Sequence, residues 1–559
     1  MKKLYNYIIL VVLLISGCDK DLDLYPLDSI SDATFWETAD DFKLASNNLY
    51  YSLSQQKIEA DVESEIAYFT DNSISNGTYV VSDTDDKWNT PYTYIRQCNK
   101  IFAEAENSGK LEDANVKRFV AEAKFFRAWN YWMLFRLYGG VPLIKDVPDI
   151  DSEGLYDARA TRKETVDFML QDLTDATLDL PLKSSLASAD VGRITKGAAL
   201  SLKARIALFE GTWGKYHGAG DGGYLDVAIA SASEVIDSNE FSLFTGKGAE
   251  SYRYLFIEEG DDSPESILDS RYEVNVRGQN FSDRILGGEY IPTKKLADEY
   301  LCTDGLPIDK SDDFNGYDTR TSEYENRDPR MEMTFVRPGS SVVWSLFPEP
   351  IESWPFFPSR NGNTGYMTNK YRSENEFGNT TQQNQFGWDT HVIRYAEVLL
   401  IYAEALYEKN GSISDIDLDK SINVIRDRVG MLPLKNTFVS SNGLDMKEEI
   451  RRERTVELAL EGYRYDDLRR WKIAEEVLPQ TVLGIKIVGS QWGTDPIIIN
   501  DDDKNIYLKE DYQSRTDANG FLIVEPSERR YFDEGKHYLR PLPTREININ
   551  PKLEQNPGW

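Results

Sequence analysis

The densest set of groups that could do chemistry is Glu453, Glu457 and Glu461, three carboxylates four residues apart that share one face if the segment is helical. Two carboxylates about 5 to 9.5 Å apart can split a glycosidic bond, one as acid and the other as base or nucleophile. Like charges along one face repel, and Arg454, Arg464 and Arg470 stand close enough in sequence to compensate them. A structural charge network is therefore expected, not a catalytic pair. With 94 Asp and Glu in 559 residues, neighbouring acids arise by chance and carry no catalytic weight.

Other reactive types are sparse. His217, His391 and His537 lie far apart without a His-Glu-x-x-His spacing, so they read as ordinary polar residues and no metal is expected. Cys98 sits in a helical stretch and Cys302 follows Tyr300-Leu301; both read as small buried hydrophobes. Asp501, Asp503 and Asn505 match the start of a calcium loop, but Ile506 replaces the turn Gly and Tyr512 the bidentate Glu, which points to a solvated acidic loop. There is no Gly-x-Ser-x-Gly and no Gly-x-x-x-x-Gly-Lys. No catalytic residue and no cofactor are expected.

Binding chemistry is better represented. Sugar recognition needs flat rings for the apolar faces of pyranoses, with amides, carboxylates and Arg for the hydroxyls. The chain is 12% aromatic, with 32 Tyr and 11 Trp, more than its core needs. Trp88 follows the acidic run 83–86 and precedes Asn89 at the mouth of a helix, while Tyr79 lies in the loop before it, near Asn72 and Asn76. The irregular middle of the chain adds Tyr272, Tyr290, Trp344, Trp354 and Trp388. These rings, with Asn76 and Asn89, are the expected ligand-binding set, although each ring alone also fits a packing role. Stacking of this kind gives micromolar to millimolar affinity, roughly −8 to −4 kcal/mol.

The elements that must position these groups are mostly helical. Residues 116–138 carry Ala121, Phe125, Ala128, Trp129, Trp132 and Phe135 at helical spacing, then Gly139-Gly140 and Pro142 as a stop. Similar helices are expected over 195–210, stopping at Gly211, and over 392–408, ending near Gly411. Small residues alternating with large ones suit closely packed helix pairs of the tetratricopeptide kind, although no fixed 34-residue period is visible. Residues 241–389 and 484–536 are loop-rich, and irregular insertions on a helical scaffold are where binding surfaces sit.

Charge and the leader bound the setting. With 63 Lys and Arg against 94 acids the net charge is −31, which excludes nucleic acid as a default partner. Lys2 and Lys3 precede an apolar run, residues 8–15, that is too short to span a bilayer and reads as a secretory signal. Its end, Leu14-Ile15-Ser16-Gly17-Cys18, looks like a bacterial lipobox, so Cys18 is expected to carry the lipid after removal of residues 1–17.

Several ordered blocks together resemble the SusD/RagB family of Bacteroidetes surface lipoproteins. They are Leu24-Tyr25-Pro26; Trp88 with Tyr92, Ile95 and Asn99; residues 122–128 running into 137–144; Arg394-Tyr395-Ala396-Glu397; Glu453-Arg454 through Arg470-Trp471; and the tail from Pro541 to Gly558. The acidic stretch 19–23 is similar to the export signal that carries lipoproteins to the outer face of the outer membrane in Bacteroidetes. The resemblance implies a mainly α fold, a right-handed superhelix of four tetratricopeptide-like helix pairs with a loop-rich mixed subdomain packed over it. It divides the chain into a signal peptide (1–17), a lipidated tether (18–40), an N-terminal helical region (41–240) and a C-terminal region (241–559). It also implies a non-catalytic glycan-binding lipoprotein on the extracellular face that serves a SusC-like TonB-dependent transporter, with Trp88 in a block that contributes to an aromatic arc. A peptide-binding member, a structural lid without a ligand and, more remotely, a glycoside hydrolase remain alternatives.

Overall fold

The computed structural model describes residues 35–54, 58–70, 72–147, 156–286, 289–340, 364–373, 386–494 and 514–559. Cys18, Trp344, Trp354 and the acidic run 501–503 lie outside the described residues. Within those described the chain is mainly helical. The helices used below are α1 (Ala39–Leu49), α2 (Asp86–Asn107), α3 (Ala114–Tyr138), α4 (Arg162–Asp179), α5 (Lys196–Tyr216), α6 (Tyr224–Asp237), α7 (Tyr395–Asn410), α8 (Met446–Glu457) and α9 (Arg464–Arg470). From α2 to α8 each packs on the next in this order, the arrangement that helix-pair repeats build.

Local chemistry sets the helix ends. Asp85 caps α2 by accepting from the Lys87 N–H, and Thr161 with Glu164 forms a capping box on α4. Gly139 at φ 77 ends α3 and Gly411 at φ 70 ends α7, as the sequence predicts. The predicted stop at Gly211 is wrong: α5 continues to Tyr216. A Cβ on Gly211 would meet Leu225 Cδ2 at 2.9 Å, and one on Gly214 would meet the Gly220 carbonyl at 2.1 Å. These glycines admit the following turn and helix instead of ending their own. The predicted helix over 392–408 also starts late, because Thr390–Arg394 forms a strand.

α3 is enclosed on nearly every side, including Glu122, Arg127 and Asn130. Arg127 donates to both oxygens of Asp172 at 2.7 Å, which offsets the desolvation of its charge. This helix anchors the larger core, drawn from α1 to α8. A second core belongs to the loop-rich segments and is built around Tyr252, Phe256, Tyr300, Phe335 and Trp388. The described strands form three two-stranded antiparallel sheets: β1 (Ala67–Tyr68) with β3 (Ile291–Pro292), β2 (Ser266–Ser270) with β4 (Thr390–Arg394), and β5 (Val482–Lys486) with β6 (Phe521–Glu525). The β1–β3 pair ties the irregular middle segment to the loop that precedes α2.

Candidate ligand-binding cleft

The N-terminus of α2, the loop before it, the chain end and the middle segment enclose one open cleft. Its two lobes, about 560 and 710 Å³, share Glu63, Phe69, Asn72, Asp86, Lys87 and Arg540. The loop is held by its own side chains. Asn72 Oδ1 accepts from the Ile74 and Ser75 N–H groups, and Asn76 Oδ1 from the Thr78 N–H and hydroxyl. Gly77, at φ 75, lies so close to the Tyr531 carbonyl that a Cβ would meet it at 1.8 Å. Tyr79 is fixed edge-on to Trp559 at 5.8 Å, with the Arg540 guanidinium 5.8 Å from its ring.

The opposite wall comes from the middle segment. Tyr272, Gln279, Arg284 and Tyr290 line the larger lobe. Tyr290 takes a positive φ of 54, and Arg284 sits 5.0 Å from its ring while pairing with Glu289 at 2.7 Å. Gln279 Oε1 accepts from the Phe281 N–H, which leaves its buried Nε2 without a hydrogen-bond partner. An unmet buried donor costs about 1–3 kcal/mol, which a hydroxyl brought against it would relieve.

The charges of the wall are compensated. Glu63 accepts from Arg540 at 2.6 and 2.7 Å and pairs with Lys87 at 3.4 Å, while Arg136 reaches Asp466 at 3.3 Å. Burial alone would raise the Glu63 carboxyl, but Arg540, Lys87 and Arg136 outweigh it and hold it down to about 2.

Tyr79 and Tyr272, two rings singled out by sequence, thus come to one cleft from separate segments, whereas Tyr290 borders it but is only 3% exposed and packs in the second core. Phe69, 37% exposed and lining both lobes, was not anticipated, because a lone aromatic after a short strand carries no pattern. Trp88 is only 3% exposed and packs edge-on against Tyr138 at 5.1 Å, so it braces α2 against α3 from behind. Trp388 is 0% exposed and stacked on Tyr371 at 6.0 Å. Neither tryptophan leaves a ring face open to a ligand, because each lies at the centre of an interface between segments. Asn76 spends its side chain on its own turn, and exposed Asn89 lies outside the cleft lining.

The acidic triad lies elsewhere. Glu457 is 0% exposed and accepts from Arg330, Arg394 and Arg428 at 2.6 to 2.9 Å. Glu453 pairs with Arg330 and Arg426, and Glu461 with Arg394 and Lys370. The network is structural, but its cations are not the predicted ones. Arg454 and Arg470 serve Asp467, and Arg464 serves Glu65. Burial opposes ionisation of Glu457, yet the three guanidinium groups hold its carboxyl well below the usual range, the reverse of what an acid catalyst needs. His391 also departs from expectation, being buried and paired with Asp269 at 2.7 Å. Among the described residues no cluster of His, Cys, Asp and Glu could hold a metal, and no helix is long and apolar enough to cross a membrane.

Comparison with known proteins accords with this arrangement. Residues 264–559 match the profile of the SusD family, and residues 32–208 match a profile described as starch-binding associating with outer membrane. A SusD-like protein of Bacteroides ovatus is 26% identical over 586 aligned positions, covering 100% of this chain and 98% of its own. A SusD-like carbohydrate-binding protein of Bacteroides fragilis, known by crystal structure, superposes with a TM-score of 0.74 at 26% identity, covering 93% of this chain and 100% of that one. A laminarin-binding SusD-like protein shares the fold at 20% identity and a TM-score of 0.58, covering 93% of this chain and 99% of its own. With more than half of its length in the family match and the two-part architecture in place, the chain belongs to the SusD family.

Proposed function

We propose that this protein is a cell-surface lipoprotein, anchored through Cys18, that captures a neutral oligosaccharide in the cleft and passes it uncleaved to a SusC-like TonB-dependent transporter. The observation that carries the reading is the convergence of Phe69, Tyr79 and Tyr272 with the unmet Gln279 amide in one open cleft. Rings can cover the apolar faces of a sugar, while the amide and the mixed donors and acceptors of the wall meet its hydroxyls. Among the described residues of the wall, Lys87, Arg136, Arg284 and Arg540 are each paired with a carboxylate, whereas a sulfated or uronate chain would call for free cations. The names of the matched profile and of the Bacteroides fragilis relative support carbohydrate as the ligand class.

Titration calorimetry of the purified chain with neutral glucan, mannan and xylan oligosaccharides tests the reading. At least one series should bind in the micromolar to millimolar range, with Tyr272→Ala lowering affinity about tenfold and no new reducing ends appearing. Absence of binding to every series, or glycan cleavage lost on changing one carboxylate, would refute it.

A further inference from the structure

Tyr272, which lines the larger lobe of the cleft, is held from behind by a carboxylate. Strand β2 ends at Ser270, paired with Thr390 of β4, and one residue before Thr390 the Asp389 side chain reaches across. Its Oδ1 accepts from the Tyr272 N–H at 2.7 Å, so a side chain continues the ladder where the backbone pairing stops. The Asp389 N–H in turn donates to Asp261 Oδ1 at 2.7 Å. Two acids are thereby linked in series, Asp261 fixing the backbone of residue 389 and Asp389 fixing the backbone of residue 272.

Asp389 is 4% exposed and its Oδ2 accepts no hydrogen bond, a costly state for a charged carboxylate. Arg271 Nε stands 3.6 Å from that oxygen, while the ends of its guanidinium pair with Asp262 at 2.5 and 3.2 Å. His391 pairs with Asp269 at 2.7 Å, and Lys183 donates to the Ser263 and Ser266 carbonyls at 3.1 and 2.7 Å. Asp262 and Asp269 oppose ionisation of the linked acids, and Arg271 and His391 favour it. Burial, with the Asp389 charge, pushes the Asp261 carboxyl up to about 7, and burial, with Asp269, pushes Asp389 up to about 6. Neighbouring groups keep their charge over the same interval. His391, which burial alone would lower, is lifted to about 9 by Asp269, and Glu63 in the cleft wall is held down to about 2 against burial by Arg540.

A hydrogen bond to a charged acceptor is roughly twice as strong as one to a neutral acceptor, so a proton added to either acid weakens the hold on the wall. Resting on the glycan reading above, we infer that Asp389, steadied by Asp261, is a positioning residue for the Tyr272 wall and that proton uptake by these two acids loosens it, so the cleft grips cargo at neutral pH and lets it go in mild acid. Because the ligand favours the deprotonated form, binding releases protons between about pH 6 and 7. Folding responds in the opposite sense: acids raised above their unfolded value of about 3.9 favour the folded state as the pH falls. The release is therefore local and is not the start of unfolding.

Hydrogen exchange of the unliganded chain, followed by mass spectrometry on peptides spanning residues 271–279, reads the wall directly. From about pH 8 to about pH 5, after correction for the intrinsic pH dependence of exchange, protection should fall about tenfold, and in Asp389→Asn it should be low throughout. Calorimetry with oligosaccharides of β-1,3-glucan, α-1,4-glucan, α-mannan and β-1,4-xylan should show, for whichever binds, about tenfold weaker affinity at the acid end. Proton release on binding should appear as a dependence of the heat on the buffer's ionisation enthalpy. Asp389→Asn keeps an acceptor for the Tyr272 N–H without the charge, so it should bind weakly at every pH and release no protons. Asp261→Asn should narrow the profile to a single inflection, a readout that holds even where Asp389→Asn does not fold. Protection and affinity that stay constant across the range, or a pH profile that survives Asp389→Asn, would overturn the inference. Should no oligosaccharide bind at any pH while the wall still loosens in acid, the glycan reading falls together with the release of cargo, and the positioning role of Asp389 stands.

Discussion

Replacing Glu457 by Gln tests whether the buried acids are structural. The residue sits where α8 meets the loop-rich part, and it takes four hydrogen bonds from Arg330, Arg394 and Arg428. In the variant Arg330 keeps Asp328 and Glu453, and Arg394 keeps Glu265 and Glu461. Arg428 is left with Glu265 alone, at 3.0 Å. The new amide also turns an N–H₂ group toward guanidinium donors. Removing one partner of a buried pair costs about 3–5 kcal/mol, a large share of the roughly 5–15 kcal/mol that holds a folded protein together. Urea unfolding followed by tryptophan fluorescence should show the unfolding free energy falling by that amount at neutral pH, read as a lower midpoint at unchanged slope. Glycan binding by the molecules still folded should be unchanged, because Glu457 does not line the cleft. The contribution also has a pH signature. Since the folded carboxyl is held below its unfolded value, its stabilisation is present above about pH 4.5 and is lost as the pH falls, so the gap between Glu457→Gln and the unaltered chain should close in acid. A variant that unfolds within about 0.5 kcal/mol of the unaltered chain would refute the structural assignment.

Three further outcomes are expected. Burial alone would lower His391, but Asp269 outweighs it and lifts the ring to about 9, so its contribution, on the order of 3 kcal/mol, is full below pH 6.5 and fades as the pH rises to about 9. Thermal midpoints across that window should fall more steeply in the unaltered chain than in His391→Asn. Gly140→Ala would set its Cβ 2.0 Å from the Ala160 carbonyl, and denaturant melts should show a loss of about 1–3 kcal/mol. Because the cleft cations are paired, glycan affinity should change less than about twofold between low and high salt, whereas a drop of an order of magnitude would point to a charged ligand.

Where the sequence was read well, the signal was local. The end of α3 at Gly139 and the end of α7 at Gly411 follow from helical periodicity closing on a residue that adopts positive φ at no steric cost. Gly211 was misread because a glycine needed for close approach and a glycine needed for a cap are the same letter. Leu225 and Gly220, which separate the two cases at Gly211 and Gly214, matter only once the next turn and helix have folded back. The acidic triad shows the same limit. That it would be a charge network was legible, but its cations come from Arg330, Arg394, Arg426 and Arg428, which only folding brings within reach.

By itself, then, the sequence determined the helical scaffold, the stops at Gly139 and Gly411, the loop-rich insertion and the family blocks, because each depends on neighbours a few residues apart. Tertiary structure alone decided which aromatics meet the cleft. Trp88 and Trp388 carry the same letter as any exposed tryptophan, yet the packing of α2 on α3 and of Tyr371 on the second core encloses them, while Phe69 and Tyr272 remain at the surface. Whether a ring packs or binds depends on what folds over it, and those contacts come from chain hundreds of residues away.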